Sequence, residues 1–167
     1  MKEYFTEAVV LDKEPAGEFD GRVSLYTEIL GKIFAKVRSS RKITSKLSPH
    51  LEPLNLIQLR IVQKNGFQVA DALKFGALSW GNNQALKLIN YMVLEGHPDH
   101  YLWLLIKNGQ STPRKILKIL GFDPEFSLCS ICQGEKPEFF IFHEGIYLCR
   151  RCFSGKLNPK EYLELSR

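Results

Sequence analysis

Residues 22–38, RVSLYTEILGKIFAKVR, decide the fold. In the first half Val23, Leu25 and Ile29 fall on one face and Ser24, Tyr26 and Glu28 on the other. Gly31-Lys32 turns the chain. Lys32–Arg38 then alternates again, with Ile33, Ala35 and Val37 on one side and Lys32, Phe34, Lys36 and Arg38 on the other. A period of two marks a half-buried strand, because successive side chains of extended backbone point to opposite faces. The stretch predicts a β-hairpin with one apolar face and one face of cations around an aromatic ring.

Working outward, the apolar run Glu7–Leu11 precedes this hairpin, and Pro15-Ala16-Gly17 and Asp20-Gly21 punctuate the loop between them. Leu54–Val62 reads as a fourth strand, and Lys64-Asn65-Gly66 turns into a fifth, Phe67–Leu73. Five strands in about seventy residues, without helical periodicity, predict a small OB-type barrel over residues 1–80. The period then changes. Asn83–Leu94 and Pro98–Lys107 read as helices, apolar around much of their circumference and so expected to be buried. In STPRKILKILGFDP (111–124), Ser111 or Thr112 can cap, Pro113 suits the first helical position and Gly121 a stop. The expected fold class is α+β and β-rich: the barrel, then a small helical domain over 81–167 with a cysteine-bearing insert at about 125–155.

The four cysteines, Cys129, Cys132, Cys149 and Cys152, are spaced C-x2-C-x16-C-x2-C. Two residues between thiolates let one tight turn present both sulfurs to one ion, and two such turns complete a tetrahedron. Gly134 supplies backbone freedom after the first pair. PEFFIFHEGIYLC between the pairs predicts two short aromatic-rich strands joined at His143-Glu144-Gly145. This is the layout of a zinc ribbon or a treble-clef-like knuckle, with one structural Zn2+ per chain. A rubredoxin-like iron site has similar spacing and stays open. Two disulfides would need an oxidising compartment, and a thioredoxin-type redox pair would explain one C-x-x-C but not two. Four thiolates leave no position for water, so the pattern does not imply metal-assisted hydrolysis. His143, beside a complete ligand set, is expected to be an exposed turn residue.

At 167 residues, 44% hydrophobic and 25% charged, the composition is that of a globular protein. Its most apolar stretch, Tyr101–Ile106, is too short to cross a bilayer, and Glu3 and Glu7 interrupt any signal-peptide core. A cytoplasmic location is expected. The net charge of +5 is unevenly spread: residues 1–31 carry −4, and residues 32–51 carry +6 without a single acid. Such a basic stretch can track a polyanion by releasing its counterions, or simply be a solvated loop. Lys32, Phe34, Lys36, Arg38, Arg41, Lys42 and Lys46 are the candidate DNA-binding residues. Cations to hold a backbone and a ring to stack on a base suit single-stranded nucleic acid. The competing reading of Phe34 is that it packs under a neighbouring helix. No phosphate-binding glycine loop, H-E-x-x-H or deaminase-type zinc motif is present, so no catalytic residue is expected. The Glu18-Asp20 pair holds the nearest thing to metal-binding carboxylates for a nuclease and is better explained as loop solvation.

Residues 17–59, GEFDGRVSLYTEILGKIFAKVRSSRKITSKLSPHLEPLNLIQL, closely resemble the N-terminal domain of the RecO family of bacterial recombination mediators. The match lies in the acidic turn, the V-x-L-x-T run from Val23 to Thr27, Gly31-Lys32, the basic stretch to Ser45, and Leu51-Glu52-Pro53. KILGFDPEFSLCSIC (118–132) is similar to that family's helix, turn and first cysteine pair. The resemblance implies an OB-fold domain followed by helices with a zinc-binding insert, binding of single- and double-stranded DNA, and strand annealing. It also implies partnership with RecR and with the acidic tail of single-stranded DNA-binding protein, helping RecA onto coated single strands near the bacterial nucleoid. The resemblance is to a shortened form: the helical segment before the cysteines is compressed, and fifteen residues follow Cys152. Helices that carry much of the family's contact with that tail fall outside it. The alternative is a zinc-ribbon protein-interaction module without significant DNA binding.

Overall fold

The computed structural model describes residues 1–79, 81, 83–158 and 161–165. Five strands, β1 (Lys2–Pro15), β2 (Gly21–Thr27), β3 (Gly31–Val37), β4 (Asn55–Gln63) and β5 (Phe67–Ala77), close into a barrel of order β1-β2-β3-β5-β4. All neighbours are antiparallel except β3 and β5, which pair parallel at Ala35–Phe67 and Lys36–Gln68. The expected OB-type barrel is therefore observed. Its core holds the predicted inward set, Val23, Leu25, Ile33, Ala35 and Val37, with Ile57, Leu59 and Ile61 from β4.

Two boundaries that differ from the sequence reading do so for physical reasons. β1 is far longer than Glu7–Leu11, because its first half pairs with β4 (Lys2–Val9) and its second with β2 (Ala8–Pro15). Charged residues at 2, 3 and 7 hide that first half from an alternation count. β2 stops at Thr27, short of Ile29: Thr27 Oγ1 accepts the Leu30 N–H at 3.0 Å and closes the turn. Gly31 completes it at φ +66, where an added Cβ would lie 2.5 Å from the His97 carbonyl. After β3 the basic stretch runs into a single 3-10 turn, Ser48–Leu51, whose Leu51 is fully buried in the barrel core.

The chain divides into two compact units, Met1–Ser111 and Thr112–Arg167. The boundary expected after residue 80 thus falls inside the first unit, which also holds α1 (Asn83–Met92) and α2 (His100–Lys107). Both are tied to the barrel by polar contacts that no periodicity reveals. Lys32 Nζ donates to the Asn90 and Val93 carbonyls, and Tyr26 Oη accepts the Asp99 N–H at 3.0 Å. Asp99 in turn caps α2, its Oδ1 accepting the Leu102 N–H at 2.8 Å. Most apolar positions of the two helices are buried, as expected, while Tyr91, Tyr101 and Leu104 remain exposed.

The second unit opens with α3 (Pro113–Ile119), capped by Thr112 with Pro113 in its first turn. It continues into a three-stranded sheet of order β7-β6-β8, formed by β6 (Phe139–Ile141), β7 (Ile146–Leu148) and β8 (Tyr162–Glu164). β6 and β7 are the two strands expected around residues 143–145; β8, on the other edge of β6, was not expected. No helix among the described residues is long and apolar enough to cross a membrane.

Candidate metal centre and nucleic-acid interface

The second unit brings its cysteines together. The four Sγ atoms lie within 4.8 Å of one another, with Cys132 and Cys149 3.8 Å apart. In the first knuckle Gln133 N–H returns to the Cys129 carbonyl at 2.8 Å, and in the second Phe153 N–H returns to the Cys149 carbonyl at 3.0 Å. The left-handed residue of the first knuckle is Gln133 (φ +53), not Gly134 as the sequence suggested. Ser130 N–H donates to the Tyr147 carbonyl at 2.8 Å and holds the first knuckle against the hairpin. Phe139 stacks on Phe153 with ring centroids 4.0 Å apart, and Tyr162 of β8 meets both rings.

The sulfurs are electrostatically unequal. The Cys132 backbone N–H, joined by those of Cys149 and Ile131, stabilises the Cys129 thiolate and lowers its pKa to about 6. The Cys149 sulfur pushes the Cys152 thiol up, to about 12. Sulfurs this close do not all ionise on their own; a cation among them removes the penalty, so the donor set fits one metal ion. Two arginines flank the cluster: Arg151 pairs with Glu135 at 2.9 Å and Arg150 with Glu138 at 3.4 Å. His143 is exposed and outside the sulfur cluster.

In the first unit the structure separates the seven candidate DNA-binding residues. Lys32 does not belong with the others. It is 6% exposed, its ammonium serves the end of α1, and burial pushes its pKa down. The alternation that put it on the outward face of β3 was right; α1 covers that end of the face. Phe34 is half-buried in the same region, with the Arg22 guanidinium 4.1 Å from its ring centre. Lys36 is exposed and pairs with Asp20 at 2.9 Å.

Arg38, Arg41, Lys42 and Lys46 are all exposed, on the loop that leaves β3. This loop is fastened to the loop between β1 and β2. Arg41 N–H donates to the Phe19 carbonyl at 3.0 Å, and its guanidinium to the Gly17 carbonyl at 2.8 Å. Asp20 accepts the Ser39 N–H at 2.8 Å; that bond, then the one from Lys36, holds its carboxyl below the usual range. Asp20 is therefore a loop staple rather than the merely solvated carboxylate that the sequence suggested. Between the loops stands Phe19, 49% exposed, with Lys42 Nζ 5.5 Å from its ring centre. Phe19 lies on a loop, where no strand alternation marks it; an aromatic residue inside the turn-rich GEFDG is the signal the sequence offers.

Comparison with known proteins agrees with this architecture. Residues 1–75 match the family model described as the N-terminal domain of recombination protein O. A DNA repair protein RecO of Thermodesulfovibrio yellowstonii is 28% identical over 91% of this chain and 71% of its own length. One of Geobacter metallireducens is 24% identical over the whole of this chain and 80% of its own length. One of Cutibacterium acnes is 39% identical over 41% of this chain and 28% of its own. With the matched barrel at its N-terminus and alignments running through the cysteine-bearing unit, the chain is similar to the RecO proteins of DNA repair along most of its length.

Proposed function

We propose that this protein is a non-enzymatic, DNA-binding recombination mediator that acts in DNA repair. It anneals complementary strands and helps load RecA onto protein-coated single-stranded DNA. The observation that carries the reading is the pairing of two loops of a RecO-type barrel, where Lys42 lies over the exposed ring of Phe19, Arg41 bonds the Phe19 and Gly17 carbonyls, and Arg38 is exposed on the same loop. The cations hold phosphates and the ring stacks on a base; Lys36 and Lys46 extend the basic track. Phe34 and Lys32 support the barrel and do not meet DNA. RecR and the tail of single-stranded DNA-binding protein are the partners the family resemblance suggests.

The metal is zinc in a structural role. A tetrahedral zinc–sulfur shell with bonds of about 2.3 Å has sulfur–sulfur edges of about 3.8 Å, the spacing of Cys132 and Cys149. Four thiolates supply no open coordination position, in keeping with a protein that does no covalent chemistry.

The test is annealing of complementary fluorescent oligonucleotides by the zinc-loaded protein, without ATP, at 50 and 200 mM salt. Rapid, salt-sensitive annealing supports the mediator reading. Absence of both annealing and binding at the lower salt overturns it in favour of a protein-interaction module. DNA cleavage that depends on a divalent ion overturns the non-enzymatic assignment.

A further inference from the structure

Of the seven acids in residues 1–31, Glu7 and Glu28 line one groove and Glu3 pairs with an arginine that lines it. The outer face of β1, β4 and β5 carries a groove of about 640 Å³. In strand order this face has β4 at its centre, and it runs to the β2–β3 turn, where Glu28 lines it. The register sets Phe5 opposite Arg60 and Arg60 opposite Asp71; one pair further along, Glu7 faces Gln58 and Gln58 faces Leu73. Phe5 is 70% exposed and Leu73 58%, flanking the groove from its two outer strands. Exposed apolar side chains gathered on one patch of a barrel wall mark a contact surface rather than ordinary surface composition.

The charges name the occupant. Both cations of the groove are already paired, Arg60 with Glu3 at 3.0 Å and Lys107 with Glu7 at 2.5 Å. Glu28 and Asp71 also line it, and among the described residues neither forms an ion pair. A phosphate backbone would be repelled there, whereas a protein segment that sets Lys or Arg beside a large apolar side chain would satisfy both features. We propose that this groove is a docking site for a basic-apolar segment of a partner protein, separate from the nucleic-acid surface and independent of it. The aromatic or aliphatic side chain would lie between Phe5 and Leu73, and the cations would face Glu28 and Asp71.

The experiment uses the full chain with its metal and measures anisotropy of a fluorescein-labelled synthetic peptide of alternating lysine and leucine. Its controls are a lysine–serine and a glutamate–leucine analogue. The expected result is saturable binding of the lysine–leucine peptide, at least about tenfold tighter than either analogue. Glu28→Lys/Asp71→Lys and, separately, Phe5→Ser should each weaken it about tenfold with an unchanged melting temperature, while oligonucleotide binding stays at the wild-type level. The reversal Asp12→Lys/Glu14→Lys, elsewhere on β1, should leave peptide binding unchanged. The proposal is overturned if the peptide does not bind, if the lysine–serine analogue binds as well, or if the Asp12/Glu14 reversal weakens binding equally. A dimer in sedimentation that Phe5→Ser dissociates also overturns it, since a second copy would then be the occupant.

Discussion

Phe19 and Phe34 are chemically identical rings in different circumstances. Phe34 is half-buried under an arginine, and Phe19 stands beside Lys42 with half its surface open. A stacked base is worth about 1–3 kcal/mol. Phe19→Ala should therefore weaken single-strand binding about tenfold or more, and Phe34→Ala should leave it close to wild type; a fluorescence titration of both variants checks this. Asp20 allows a prediction in pH. Its folded pKa lies below the ordinary 3.8, so its contribution to stability is fully present above 3.8 and is lost as pH falls through the lower folded value. Urea unfolding of wild type and Asp20→Asn should differ by a constant amount near neutrality and converge in acid. A gap that persists below that value would remove the carboxylate from the account.

At the scale of elements, α1 is held by a buried ammonium. Lys32→Met removes the donor to two carbonyls at the helix end and should cost about 1–3 kcal/mol, read as a lower urea midpoint for the first unit. The same variant should leave the salt dependence of DNA binding untouched, which separates an anchor from a phosphate contact. The small sheet faces the opposite problem. Its three strands have three residues each, too little for an independent core, and structural zinc in such modules contributes on the order of 10–16 kcal/mol. Chelation should open residues from about 125 to 155 to protease while the barrel stays resistant. An unchanged digestion pattern would show that packing alone suffices.

Across the whole molecule, charge is segregated: acids concentrate in residues 1–31 and cations in residues 32–51. The fold turns this into a basic pair of loops and an acidic, apolar wall on the same barrel. If the loops contact roughly four phosphates, single-strand affinity should fall about 50-fold between 50 and 200 mM salt. Replacing Arg38, Arg41 and Lys42 together should flatten that slope. A slope that survives the triple substitution would move the DNA surface elsewhere.

Local features were legible in the sequence. The period of two set the inward residues of the β2–β3 hairpin, the cap-and-proline signal placed α3, and two C-x-x-C pairs announced the sulfur cluster. Each depends on neighbours in the chain, where backbone geometry fixes the spacing. Which outward residues meet solvent was decided only by tertiary structure. Lys32, Phe34 and Lys36 share one face of β3, yet α1, returning from nearly sixty residues away, buries Lys32 and leaves Lys36 open. Phe19 joined the basic loop through hydrogen bonds between two turns that have no periodicity to read. Alternation tells which face of a strand a side chain leaves from; only the folded chain determines what comes to lie on that face.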